Sequence, residues 1–217
     1  MRITSDNKPV IFHDQKINRL LVKKRGKVKN YTYEELKSFQ YKDGQKILSL
    51  EEFFSLVKGK IRMILDLKDK GSESVIIGLI RSYNLEKDVI VQSKHGDIIR
   101  ICYDLAPNIK YALYRAFLGK IWFFGKILRL NKLMATIFYN LKVRPYPIRY
   151  LNLDGPFIYD EFLSIINEKK IKIILGALRV EKYIKNVNKW NVDIVNSDNP
   201  SMMREYLKDF NRKGSIA

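Results

Sequence analysis

Short β-branched or apolar runs alternate with helical patterns along the whole chain. The runs are KPVIFH, IRMILDL, DVIVQS, IKYAL, IRYLNL, IKIIL and VDIVN, each of strand length and rich in Ile, Val and Leu. Between them the spacing predicts helices over 32–38, 49–57, 72–83, 96–105, 158–168, 180–189 and 200–210. Two of these have starts that can be read directly. Thr32 with Glu35, and Ser49 with Glu52, have capping-box spacing, in which each side chain satisfies a free backbone N–H of the other. Serial βα units of this kind build a parallel sheet.

Seven strand candidates fall one short of the eight that close a parallel TIM-type (β/α)8 barrel. The expected fold is therefore such a barrel, incomplete at its N-terminal end. An open doubly wound sheet is the alternative, but its glycine-rich turn after the first strand is missing. No Gly/Ser-rich or Pro-rich linker divides the chain, so one domain over 1–217 is expected.

Composition narrows the setting. A single cysteine, Cys102, excludes an internal disulfide framework and suits a reducing compartment. No apolar run approaches the roughly 20 residues of a membrane-spanning helix, so a cytoplasmic protein is expected, peripheral at most. The formal charge of +18 calls for an anionic partner: nucleic acid, anionic lipid or a phosphate-bearing substrate. Zinc-ligand clusters, RNP-like strands and a recognition helix are all missing from the sequence, which argues against specific nucleic-acid binding. Between Asp104 and Asp154 there are nine basic residues and no acidic one. Within that stretch, the segment at about 115–147 can form a helix with Lys126, Arg129, Lys132, Thr136 and Asn140 on one face. Phe123, Phe124, Ile127, Leu130, Met134 and Phe138 then fall largely on the other. Such a helix suits an anionic membrane surface, or else a barrel helix with a solvated basic face.

The chemistry-bearing motifs sit at strand ends. TSDNKPVIFHDQKINRL ends its apolar run at His13 and Asp14 and continues to Ile17 and Arg19. This resembles the glycerophosphodiester phosphodiesterase family, whose members carry Thr-x-Asp-Gly, a short apolar strand, His-Asp and then an Arg. YTYEELKSF and KILSLEEFFSLV are similar to the family's Thr-Leu-Glu-Glu-Leu and Ile-Pro-Thr-Leu-Glu-Glu segments, with Leu48 and Ser49 in place of Pro and Thr. RMILDLKDK resembles the strand ending Glu-x-Lys, with Asp66 for the glutamate and Lys68 for the lysine. DVIVQSKHG is similar to the Gln-Ser-Phe strand end, with Ser93 kept and Lys94 where Phe is usual. NVDIVNSDNP matches the C-terminal Thr-Asp-x-Pro ending through Ser197, Asp198 and Pro200. The family's Trp-Thr-Val-Asn departs furthest, reading Gly176, Ala177, Leu178 and Arg179.

The resemblance implies metal-assisted cleavage of glycerophosphodiesters to glycerol phosphate and an alcohol, as part of lipid metabolism. His13 would be the general acid, Asp66 a ligand of a divalent cation (Ca2+ or Mg2+), and Lys68 a stabiliser of phosphoryl charge. Ser93, Lys94 and Gly176 would line the substrate pocket. Family members also begin with a strand ending His-Arg, a helix opened by Glu-Asn, and a strand carrying Glu-x-Asp before Val-x-x-Thr. None of these is found here, and Met1 falls on that valine, so the resemblance implies that the first βα unit and most of the second strand are absent. One of three metal ligands and one of two histidines are thus expected to remain, the cation to be weakly held, and the 217 residues to show little or no activity. An internal start codon and a remnant that has lost catalysis both account for this. A non-catalytic basic protein binding anionic membrane or nucleic acid is the alternative function. No oligomeric state follows from the sequence.

Overall fold

The structure, a computed structural model, describes residues 1–21, 24–41, 43–115, 131–154, 160–178 and 190–205. The chain divides into two compact units, Met1–Tyr111 and Ala112–Ala217.

In the first unit the front of the chain turns back on itself. Thr4 is buried, and its Oγ1 accepts from Lys8 N at 2.8 Å and donates to Lys8 O at 3.0 Å. Asn7 adopts φ 58°, a left-handed conformation that Asn tolerates better than most residues. The resulting hairpin pairs β1 (Arg2–Ile3) antiparallel with β2 (Pro9–Val10). KPVIFH is therefore not a parallel barrel strand. Its apolar residues serve a separate cluster in which Val10, Phe12, Ile17, Leu21, Val28, Tyr33, Leu36 and Ile47 are buried.

Both predicted capping boxes are present. Thr32 and Glu35 open α1 (Tyr33–Lys37), and Ser49 and Glu52 open α2 (Leu50–Val57). α2 turns Leu50 and Phe54 fully inward and leads into β3 (Met63–Asp66), where burial alternates as a strand requires. β3 pairs in parallel with β4 (Val89–Ser93), Asp66 lying opposite Gln92. α3 (Glu73–Ser82) and α4 (Gly96–Leu105) follow these strands and bury Ile76, Ile77, Ile80, Ile98, Ile99 and Cys102.

β5 (Lys110–Arg115) begins where the first unit ends. From there β5 pairs in parallel with β6 (Tyr150–Asp154), β6 with β7 (Lys172–Leu178) and β7 with β8 (Ile194–Ser197). A register shift between Leu175 and Leu178 interrupts the last pairing. α5 (Asn131–Lys142) and α6 (Asp160–Glu168) pack together, with the Phe138 and Phe162 rings edge-on at 5.5 Å. Residues 200–205 are helical. The helix expected over 180–189 lies outside the described residues, as do 116–130 of the basic segment and Arg179.

Candidate functional site at the end of β3

Parallel strands deliver their side chains to one rim, at their C-terminal ends. Asp66 is the last residue of β3, and Lys68 follows on the loop. The Lys68 ammonium stands 3.5 Å from Asp66 Oδ2, with its side chain 18% exposed. Gln92, at the end of β4, donates from Nε2 to Asp66 Oδ1 at 3.4 Å.

His13 arrives from the loop after β2. Its side chain is 72% exposed and its Nδ1 lies 2.7 Å from Asp14 Oδ1. Arg19 grips Asp14 with two prongs, Nε to Oδ2 at 2.7 Å and Nη2 to Oδ1 at 3.0 Å. This fork, followed by the His13 contact, holds the Asp14 carboxyl far below the usual carboxylate range. A carboxylate at Nδ1 fixes the proton there, so Nε2 is the nitrogen presented to a ligand.

Arg2 joins the two loops. Its Nε donates to the His13 carbonyl at 3.2 Å, and its Nη1 donates to Asp69 Oδ1 at 2.7 Å. Asp69 Oδ2 also accepts from Ile3 N at 3.2 Å, and Met1 N donates to Asp66 O at 2.8 Å. The His13 loop is thereby tied to the β3 end that carries Asp66 and Lys68. Sequence reasoning missed Arg2 and Asp69, because no local pattern marks a pair 67 residues apart.

The expected pocket residues fall differently. Ser93 is buried, donating from Oγ to Leu67 O at 2.7 Å and accepting from His95 N at 3.1 Å. Its hydroxyl locks the ends of β3 and β4 together. Lys94 is exposed on the loop that leads into α4. Gly176 is a buried residue of β7 in the second unit, paired with Asp154.

Calcium takes six to eight oxygen ligands and magnesium near-octahedral oxygens. Among the described residues no three of His, Cys, Asp and Glu gather into a cation cage. Asp66 is engaged by Lys68 and Gln92, and Asp69 by Arg2 and Ile3. The described residues do not by themselves fit a resident divalent cation.

Against this geometry, the model of the glycerophosphoryl diester phosphodiesterase family matches residues 1–202. The chain belongs to that family. A glycerophosphodiester phosphodiesterase of Bacillus altitudinis is 27% identical, the match covering 96% of this chain and 85% of that protein. A glycerophosphodiester phosphodiesterase structure from Parabacteroides distasonis superposes with a TM-score of 0.78 at 16% identity, covering 97% of this chain and 82% of that one. An Oleispira antarctica phosphodiesterase in complex with its product sn-glycerol-3-phosphate gives 0.72 at 18% identity, covering 95% and 82%. The fold is that of these phosphodiesterases, a TIM-type barrel, of which the described residues supply six parallel strands.

Proposed function

We propose that the chain is a phosphoric diester hydrolase acting on glycerophosphodiesters, such as deacylated phospholipids, and releasing glycerol phosphate and an alcohol. The observation that carries this is the Arg2 bridge, which holds the His13 loop against the strand end bearing Asp66 and Lys68. The product named for the Oleispira relative supports the substrate class.

In this reading Lys68 places its ammonium against the phosphoryl oxygens, where negative charge grows as the ester opens. Asp66 holds that ammonium from one side, leaving its remaining N–H groups for the phosphate. The imidazolium form of His13, whose Nδ1 proton Asp14 holds, donates its Nε2 proton to the departing alkoxide as the phosphorus–oxygen bond breaks, while the attacking water forms the new phosphorus–oxygen bond and releases a proton to bulk water. Asp14 and Arg19 keep the ring in position. With no cation cage among the described residues, these groups alone support slow turnover. Binding of the product needs less.

The test is calorimetric titration with sn-glycerol 3-phosphate beside an assay of glycerophosphocholine hydrolysis. Lys68→Met is expected to weaken binding by about tenfold or more, the loss of one charge-assisted contact. His13→Ala is expected to leave binding nearly unchanged and to reduce release of glycerol phosphate. Unaltered binding by Lys68→Met overturns the proposal.

A second reading concerns the membrane. On α5, Phe138 and Ala135 face inward, whereas Leu133, Ile137 and Leu141 are 53%, 41% and 64% exposed. They form one apolar stripe at i, i+4 and i+8, flanked by the exposed Lys132 and Lys142. No helix among the described residues is long and apolar enough to cross a membrane. Peripheral contact with anionic lipid through this stripe fits the segment. Sedimentation with anionic vesicles tests it, and a Leu133→Ser/Leu141→Ser variant that pellets as well as the parent would refute it.

A further inference from the structure

Between Asp14 and Glu34 the chain has seven basic residues, Lys16, Arg19, Lys23, Lys24, Arg25, Lys27 and Lys29, and no acidic one. The fold gathers three of them. A cavity of about 570 Å3 is lined by Lys16, Asn18, Gly26, Lys27, Lys29, Asn30 and Tyr31. No carboxylate lines it. Among the described residues no carboxylate is within ion-pair distance of Lys16, Lys27 or Lys29, whereas Arg19 is taken up by Asp14.

The backbone makes this clustering unusual. Ile17 N donates to Gly26 O at 3.0 Å and Val28 N to Gln15 O at 3.1 Å, which bridges Lys16 antiparallel to Lys27. Hydrogen bonds on either side of a directly opposed pair define its non-hydrogen-bonded form, in which the two side chains leave the same face at closest approach. Two like charges directly opposite destabilise such a pair. The short hairpin is nevertheless built firmly. Gly26 N donates to Asn18 Oδ1 at 3.1 Å, and the Tyr31 hydroxyl donates to Arg25 O. Gly26 has φ +118°, and a Cβ on it would stand 3.2 Å from the Tyr31 hydroxyl oxygen. Only glycine lets the chain close tightly enough to set Lys27 across from Lys16. Lys29 adds a third ammonium from the 3-10 turn Val28–Asn30.

We propose that this cavity is a binding site for a phosphate-bearing anion, separate from the β3 strand end, with Lys16, Lys27 and Lys29 as its ligands. A bound phosphate turns the like-charge repulsion of Lys16 and Lys27 into two charge-assisted contacts. Asn18 and Asn30 contribute polar amides at the rim. The chemistry is shared by a soluble phosphate ester and a lipid headgroup. The inference stands independently of the hydrolase reading, because none of its ligands belongs to that machinery.

The experiment is calorimetric titration of the full chain with inorganic pyrophosphate, with vesicles of phosphatidylglycerol and phosphatidylcholine as a second arm. Lys16→Gln/Lys27→Gln/Lys29→Gln is compared with a control of equal charge, Lys60→Gln/Lys87→Gln/Lys169→Gln, whose lysines are exposed elsewhere. The first is expected to weaken pyrophosphate binding by about tenfold or more and the control by less than about threefold. Arginine at the same three pocket positions restores binding, and circular dichroism shows all variants folded. If vesicle binding falls in parallel, the ligand is a lipid headgroup; if only pyrophosphate binding falls, it is a soluble phosphate. Equal losses in both glutamine variants, no pyrophosphate binding by the parent, or abolition of binding by Lys68→Met would each overturn the proposal. The last would show that the β3 end is the anion site.

Discussion

Glu52 ties together the two helices that precede β3. Its Oε2 accepts from the Tyr33 hydroxyl of α1, its Oε1 faces Lys37 Nζ at 2.9 Å, and it closes the α2 capping box on Ser49 N at 3.1 Å. The Tyr33 hydrogen bond above all holds its carboxyl down at about 2 against an ordinary 4.5; burial opposes it, and the hydrogen bonds from Lys37 and Ser49, together with the Lys37 charge, more than offset that opposition. A folded-state value below the unfolded one means stability present above pH 4.5 and lost as pH falls toward 2. At 1.36 kcal/mol per unit, the full shift would amount to roughly 3 kcal/mol. The side chain is 36% exposed, so screening by solvent reduces this to about 1 kcal/mol. Glu52→Gln keeps the shape and the capping geometry and removes the charge. At pH 7 the urea midpoint of the variant should fall by about 0.4 M, taking a slope of about 2.5 kcal/mol per molar. Between pH 4.5 and 2.5 the wild type should lose most of this advantage and the two curves should converge. Equal midpoints at pH 7, or a gap undiminished at pH 2.5, would refute the reasoning.

Phe54→Ala should cost about 3–5 kcal/mol, because the ring is fully buried and packs on Tyr83 at 5.5 Å, and thermal unfolding measures it. Cys102 is buried and desolvation pushes its thiol up to about 12, so it should resist a disulfide reagent at pH 8 until urea is added. Gly26→Ala should destabilise by about 1–3 kcal/mol through its φ of +118° and its contact with Tyr31, again read by thermal unfolding. Asp14→Asn should lower the rate of glycerophosphocholine hydrolysis by about tenfold or more, one hydrogen bond to a charged group, while leaving sn-glycerol 3-phosphate affinity unchanged.

What the sequence disclosed is local. The capping boxes at Thr32 and Ser49 could be read because three residues of spacing determine them, and both are formed. The β3 strand was legible from its short apolar run, and so was the presence of Asp66 and Lys68 at its end. KPVIFH misled because an apolar run reads the same in a barrel strand and in a hairpin; the Thr4–Lys8 turn decides between them through long-range pairing. The Ser93 hydroxyl, on a residue expected to line the substrate pocket, faces the Leu67 carbonyl, a partner set by parallel register that is invisible along the chain. Arg2 and Asp69 were unreadable for the same reason. The opposed lysines of the Gly26 hairpin were likewise hidden, since neither residue alone stands out in so basic a chain.

The account depends on one phosphate reaching both the His13 loop and the β3 end. The chain has two histidines, so His95→Gln leaves His13 as the sole imidazole signal in a nuclear magnetic resonance spectrum. Titration with sn-glycerol 3-phosphate should then shift the His13 ring and Lys68 ammonium resonances together, with one affinity, and in Lys68→Met the His13 response should need about tenfold or more ligand. Movement of one signal without the other, or of neither, would contradict the site.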